Sequence, residues 1–224
     1  MAEFFAAFTV FLIAHSLPSI RPLRAGLVAR LGRRGYLAAY SVASLALLAW
    51  LVSAALRAPY LGLWTPPVWA YHQALLTAPL GVILAVAGLL RPNPLSIGVA
   101  GGDFDETRPG LVGVTRHPVL WGFALWAFAH VPPNGDLVSV VLFGALGGFS
   151  LAGFTLVDRR TRRQLGAAAW RRLAAACPLV PFARGLPRFA GRDLLALGLG
   201  VAAVALLLGG LHLRLFGVDP LATL

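Results

Sequence analysis

Residues 115–130, with the sequence TRHPVLWGFALWAFAH, decide the fold, because this one apolar segment carries two of the chain's five histidines. Pro118 stands near its beginning, where proline is pre-organised for the first turn of a helix. The run Pro132-Pro133-Asn134-Gly135 follows directly, and such a run cannot continue a helix. The segment therefore predicts one helix with both ends marked, with His117 and His130 near opposite ends.

The composition of the whole chain is that of a membrane protein. Of its 224 residues, 58% are hydrophobic and only 12% are charged, and the mean hydropathy is +0.79. A soluble domain of this length carries about a quarter charged residues. We therefore predict an all-α, polytopic membrane helical bundle that forms a single domain over residues 1–224.

The apolar segments are numerous enough for about six transmembrane helices. A spanning helix needs about 20 mostly apolar residues, with a lower limit near 17. The predicted spans are 4–20, 36–56, 72–90, 111–130, 137–157 and 194–211. The proline-rich stretch 59–71 contains two Trp and two Tyr, which is the composition of an aromatic belt at a membrane surface.

The arginines predict the orientation of the chain. All 19 basic residues are arginines, and 17 of them lie in three loops, 21–34, 91–116 and 158–192. The positive-inside rule places these loops in the cytoplasm. In a protein that crosses the cell inner membrane six times, both termini then lie in the periplasm. This topology explains the basic charge, so we expect no nucleic acid partner. Within the arginine-rich segment 158–192, residues 158–172 predict an amphipathic helix that contacts anionic membrane lipid.

The histidines are the candidate functional residues. Ionisable groups at membrane depth usually face the bundle interior or a water-filled path, so several together suggest a function. A rise of about 1.5 Å per residue gives two levels. His15 and His117 fall near the cytoplasmic side, whereas His72 and His130 fall about 20 Å above them. His212 ends the last span and is interpreted as an interfacial anchor.

Two imidazoles facing each other are how helical bundles hold a b-type haem. We therefore expect haem b, with its iron, as cofactor. The expected metal ligands are His15, His72, His117 and His130. Further candidate cofactor contacts are Arg116, Trp121 and Trp126. The alternatives are a histidine-only metal site, a proton path and purely structural histidines. The chain has no CxxCH motif for covalent haem attachment, and its single cysteine, Cys177, excludes an intramolecular disulfide and a cysteine-based zinc site.

Several short motifs are shared with a known family. They are His15-Ser16-x-Pro18-Ser19-x-Arg21, Thr115-Arg116-His117-Pro118 with Trp121, Trp126 and His130, Asn134-Gly135-Asp136, Asp158-Arg159-Arg160 with Gly166 and Trp170, and Pro181-Phe182. In these the chain resembles the NnrU family. That family is named for its association with nitrite and nitric oxide reduction in denitrifying bacteria, and it is similar to 15-cis-zeta-carotene isomerase.

The resemblance implies a haem b-binding membrane protein of denitrification, with a respiratory reductase as a partner. The similarity to the isomerase implies that His15 and His130 are the ligands. Membrane depth instead pairs His15 with His117 and His72 with His130. It also implies an alternative function, haem-dependent cis–trans isomerisation of an apolar polyene. The isomerase has a redox-linked cysteine three residues before the second ligand, where this chain has Ala127.

A second alternative comes from a weaker resemblance. Arg116-His117-Pro118, followed by an arginine-rich helix with Gly166 and Trp170, is similar to the membrane methyltransferases that modify phospholipid head groups or prenylcysteine. Those enzymes bind the methyl donor with a pair of glutamates on the later helix. This chain has only Asp158 there.

Overall fold

The computed structural model describes residues 1–17 and 20–222, and these residues form helices and connecting segments without a β-strand. The predicted all-α fold is therefore confirmed. In chain order the helices are α1 (Ala2–Ser16), α2 (Arg21–Arg57), α3 (Val68–Leu89), α4 (Leu111–Val114), α5 (Pro118–Ala129), α6 (Val131–Asn134), α7 (Leu137–Leu165), α8 (Ala167–Ala176), α9 (Gly191–Leu206) and α10 (His212–Phe216), with a π-helical turn at Leu207–Leu211 between the last two.

Four helical segments among the described residues are long and apolar enough to cross a membrane: α2, α3, α7 and the continuous run Gly191–Phe216. This makes the chain a membrane protein, but the predicted number of six spans is not confirmed. The helix α1 has 15 residues and α5 has 12. At about 1.5 Å per residue they reach roughly 22 and 18 Å, short of the roughly 30 Å of a hydrocarbon core.

The predicted helix over 111–130 is divided into α4 and α5. The break before α5 has a clear cause, because Thr115 is extended, with φ −154° and ψ 142°. Its hydroxyl donates to the Leu179 carbonyl at 2.8 Å, and the Arg116 backbone N–H donates to the Pro178 carbonyl at 2.8 Å. A distant loop thus takes the hydrogen bonds that a continuous helix would have used. Beyond α5, the break at His130 is followed by α6, which carries two prolines in its first turn.

The chain divides into two compact units, which are described separately. The first comprises Met1–Leu63 and Asp136–Leu142. Within it α1 packs on α2, and Phe4, Ala7 and Phe11 are buried along one face of α1. Their spacing of three and four residues is the reason that they share a face.

The second unit comprises Trp64–Gly135 and Phe143–Leu224, and α3 lies at its centre against α5 and α9. The backbones of α3 and α5 touch where Gly81 meets Gly122. A Cβ added to Gly122 would lie 2.5 Å from the Gly81 carbonyl oxygen. Small residues at such crossings let membrane helices approach closely, so this glycine pair fixes the position of α5 and its histidine neighbours.

The amphipathic helix predicted over 158–172 is not one helix: residues 158–165 continue α7, the chain breaks at Gly166 with φ 84°, and α8 begins at Ala167. The apolar side of α8 is used inside the protein. Trp170 and Leu173 pack against a buried cluster of Leu95, Val112 and Cys177. The arginine-bearing side of α8 is therefore the side left for the membrane surface.

Candidate functional site

A network of four side chains lies in the second unit, and we call it the Asp158 cluster: Ser96, Arg116, His117 and Asp158. Arg116 Nε lies 3.0 Å from Asp158 Oδ1 and 3.1 Å from Oδ2, and its Nη2 lies 2.5 Å from Oδ2. His117 Nε2 is 3.0 Å from Oδ1 of the same carboxylate. Its Nδ1 is 2.7 Å from Ser96 Oγ. The exposed fractions are 12% for the Arg116 side chain, 18% for Asp158 and 0% for His117.

Three parts of the chain build this cluster. Ser96 belongs to the loop after α3, Arg116 and His117 precede α5, and Asp158 lies on α7. Asn93 joins the first two parts, because its amide Nδ2 donates to the Arg116 carbonyl at 3.0 Å. The His117 ring also stacks on Phe154 of α7, with centroids 5.5 Å apart.

Trp170 of α8 connects the Asp158 cluster to the arginine-rich segment. The guanidinium carbon of Arg116 lies 5.7 Å from the centre of the Trp170 ring, and that of Arg162 lies 6.0 Å from it. Both are cation–π distances. Arg116 therefore makes its contacts within the protein, to Asp158 and Trp170.

Trp121, another candidate cofactor contact, also belongs to this region. Its indole N–H donates to the Leu179 carbonyl at 3.0 Å, and its ring lies 5.1 Å from that of Phe154. Since both nitrogens of His117 are hydrogen-bonded, this part of the predicted site is internally satisfied. His117 therefore differs from a histidine that has one ring nitrogen free to bind iron.

His130 presents the opposite arrangement. Its Nδ1–H donates to the Trp126 carbonyl at 2.6 Å, and no partner of Nε2 is found among residues 1–17 and 20–222. The half-buried ring stacks on Phe143 at 4.7 Å and lies 5.0 Å from the Trp126 ring. Because a carbonyl oxygen only accepts hydrogen bonds, the proton of the neutral His130 ring is on Nδ1. Nε2 then carries the lone pair and takes no part in the bond to the Trp126 carbonyl.

His15, in the first unit, has the same local geometry. Its Nδ1–H donates to the Phe11 carbonyl at 2.9 Å, and the two rings stack at 4.0 Å. Of the remaining histidines, His72 is exposed on α3, and His212 donates from Nδ1 to the Val218 carbonyl at 2.8 Å. The structure thus separates His117, whose two ring nitrogens are both hydrogen-bonded, from His15, His130 and His212, whose Nδ1 donates to a backbone carbonyl.

The cysteine and the acidic loop make contacts of a structural kind. Cys177 is fully buried, and this burial raises the pKa of its thiol to about 11. In the acidic loop, Glu106 accepts from Arg172 Nε at 2.9 Å. Asp105 accepts from the Thr107 hydroxyl and N–H, and these bonds lower the pKa of its carboxyl group.

Two members of the Asp158 cluster were not predicted as site residues: Asp158, which was noted only within motifs shared with known families, and Ser96. Ser96 lies 21 residues before His117 and 62 before Asp158, in a loop with no recognisable motif. The neighbouring Asn93-Pro94 is the one local signal, since asparagine before proline favours a turn. Only the packing of α5 and α7 shows that this turn delivers a hydroxyl to an imidazole.

Comparison with known proteins identifies the family. A family model described as NnrU protein matches residues 3–220, which is nearly the whole chain. Searches of curated proteins and of solved structures found no match. The matched region includes both units and every motif noted in the sequence. On this match, the chain belongs to the NnrU family.

Proposed function

We propose that this member of the NnrU family binds a b-type haem, that His130 would hold its iron, and that the protein serves nitrite and nitric oxide reduction. The observation that carries the proposal is the geometry of His130. Its Nδ1 is held by the Trp126 carbonyl, and its Nε2 has no partner among the described residues. When bound, haem b supplies one-electron redox chemistry.

The residues around His130 fit such a group. A histidine that ligates a metal usually donates its other N–H to a carbonyl or carboxylate, which fixes the ring and increases its basicity. The Trp126 carbonyl has this role here. The flanking rings of Trp126 and Phe143 supply the apolar, aromatic surroundings that a porphyrin requires.

A protein-only metal centre is not part of the proposal. Within residues 1–17 and 20–222, no group of three or more His, Cys, Asp or Glu side chains is placed to hold a metal ion. A haem would not need such a group, because single histidine side chains hold its iron.

The resemblance implies His15 as a further iron ligand, and we propose it on that ground. Its Nδ1–H donates to the Phe11 carbonyl, and no partner of Nε2 is found among residues 1–17 and 20–222. His117 is left out of the proposal, because Ser96 and Asp158 engage both of its nitrogens. The polyene isomerase remains an alternative prediction. For the methyltransferase, the one available carboxylate, Asp158, is already bound to Arg116 and His117.

The experiment is an absorption spectrum of the purified protein from haem-replete cells, in both redox states. The expected result is a Soret band that His130→Ala abolishes and His15→Ala shifts or abolishes. His72→Ala is the matched control, because His72 is exposed, and its spectrum is expected to match the wild type. A colourless wild-type protein, or a band retained in His130→Ala, would contradict the proposal.

Association with denitrification is tested separately from haem binding. In a denitrifying host that lacks its own NnrU protein, this chain is expected to restore nitrite and nitric oxide reduction. His72→Ala is expected to restore it equally, whereas His130→Ala is not. Restoration by His130→Ala would separate the haem from the function, and no restoration by the wild type would argue against the denitrification role.

We also infer that the three arginine-rich loops face the cytoplasm of the inner membrane and that both termini are periplasmic. The support is that these loops hold 17 of the 19 arginines. Single cysteines introduced at Arg108 and Arg57 are expected to react with a membrane-impermeant reagent from opposite sides. Labelling of both from the same side would contradict this topology.

A further inference from the structure

We propose that Ser96 is the nucleophile of a second site, one that hydrolyses carboxylic esters, with His117 as general base and Asp158 as the group that orients the base. The proposal is independent of haem. It rests on two contacts in a continuous chain, 2.7 Å from Ser96 Oγ to His117 Nδ1 and 3.0 Å from His117 Nε2 to Asp158 Oδ1. A nucleophile and a base within hydrogen-bonding reach, with a third group orienting the base, form the general signature of nucleophilic catalysis.

The partners fix the proton positions in this chain. The Asp158 carboxylate only accepts, so His117 Nε2 carries the proton and donates it to Oδ1. In the neutral ring Nδ1 then holds the lone pair and accepts from the Ser96 hydroxyl. The two ring nitrogens are exchanged relative to the serine protease triad, but each performs the corresponding role.

Arg116 holds the orienting carboxylate. It binds both oxygens of Asp158, which prevents the carboxylate from rotating and keeps Oδ1 directed at the ring. The stacking of His117 on Phe154 fixes the plane of the imidazole. A preorganised base of this kind needs no rearrangement when the nucleophile reacts.

Ser96 is accessible, unlike the base behind it. It is half-buried on a loop, whereas His117 is fully buried. The next two backbone N–H groups, of Ile97 and Gly98, have no hydrogen-bond partner in the part of the chain that the structure describes. An N–H directly after the nucleophile is the usual donor to the oxyanion in hydrolases. An open cavity of about 270 Å³ is lined by Asn93, Pro94 and Phe104, and Ser96 follows Pro94 by two residues in the sequence.

The reaction balances with water as the only co-reactant. Ser96 Oγ bonds to the ester carbonyl carbon while its proton passes to His117 Nδ1. The carbon–oxygen bond to the alcohol breaks, and the alcohol leaves with that proton. Water then attacks the acyl-serine, giving up a proton through Nδ1 to regenerate the Ser96 hydroxyl, and the carboxylic acid is released.

The test is labelling of the purified, detergent-solubilised protein with a fluorophosphonate, read by mass spectrometry, together with hydrolysis of p-nitrophenyl esters. The wild type is expected to carry the label on Ser96. Ser96→Ala is expected to lose the label and to lower ester hydrolysis at least about 100-fold, as removal of a catalytic nucleophile does.

Two controls make the outcomes decisive. Ser44→Ala also removes a half-buried serine, but far from His117 in the sequence, and it is expected to retain label and activity. His130→Ala is expected to retain both as well, so this proposal and the haem proposal fail separately. An unlabelled wild type, a label elsewhere, or equal hydrolysis by Ser96→Ala would overturn the proposal.

Discussion

Breaking the Arg116–Asp158 pair gives the sharpest test of the structure. Arg116→Met keeps an apolar stem of similar length but removes the guanidinium and its three close N···O contacts to Asp158. With Arg116 present, the exposed fraction of the Asp158 side chain is only 18%, so the variant leaves behind a carboxylate that is mostly shielded from water. His117, which remains its neighbour, is neutral when it serves as the hydrogen-bond donor described above.

The expected loss of stability follows from that burial. Removing one partner of a buried pair leaves an uncompensated charge and costs about 3–5 kcal/mol, whereas an exposed pair contributes about 0–1 kcal/mol. Arg172→Met is the matched control. Arg172 also contacts a carboxylate, that of Glu106 at 2.9 Å, but with exposed fractions of 67% and 38%.

The assay is thermal unfolding in detergent, followed by tryptophan fluorescence. For a chain of this length each kcal/mol shifts the Tm by roughly 2–4 °C, so Arg116→Met is expected to lower it by roughly 6–20 °C. Arg172→Met is expected to lower it by no more than roughly 4 °C. Equal falls in Tm for the two variants would refute the view that the buried Arg116–Asp158 pair stabilises the second unit more than an exposed pair does.

Two further predictions follow from packing and burial. Gly122→Ala places a Cβ 2.5 Å from the Gly81 carbonyl, and overpacking of this kind costs about 1–3 kcal/mol, so its Tm is expected to fall. A Cβ added at Gly144 meets no atom within 4 Å, so Gly144→Ala is expected to raise the Tm slightly. A fall in Tm as large as that of Gly122→Ala would contradict the close contact between Gly122 and Gly81. Because the pKa of Cys177 is raised to about 11, little thiolate exists at pH 8, and alkylation is expected to accelerate as the pH rises toward 11. At pH 8 it should be at least about 100-fold slower than at an exposed Ala183→Cys with an ordinary pKa near 8.5, and equal rates would argue against the burial.

The helical membrane fold could be predicted because it depends on local properties of the sequence. The third span was expected at 72–90 and is found as α3, since a long apolar run between Pro67 and Pro92 leaves little choice. Hydropathy could not foresee the division of 111–130. That break depends on the carbonyls of Pro178 and Leu179, which lie about 60 residues away in the sequence.

The orientation of α8 shows the same limit. Its alternation of arginines with Trp170 and Leu173 is typical of a helix that lies on a membrane, and a helix is present there, although it begins at Ala167 and not at residue 158. An apolar face is equally stabilised by lipid or by a protein core, however, and the sequence does not say which is available. Here Leu95 and Val112, from two other segments, supply the core.

The two histidines of the 115–130 segment differ in a property that the sequence does not contain. Both were expected to bind iron, because residue type and membrane depth are alike for a ligand and a structural histidine. What distinguishes them is the second nitrogen. At His117 a serine and a carboxylate engage both nitrogens, so the ring is committed to a protein network. At His130 the Trp126 carbonyl accepts a hydrogen bond from Nδ1–H, and Nε2 has no partner among the residues that the structure describes. Only the second arrangement can accept an external metal without breaking an existing bond. The first instead connects a hydroxyl to a carboxylate through a base, and this is why we assign the two histidines to two different chemistries.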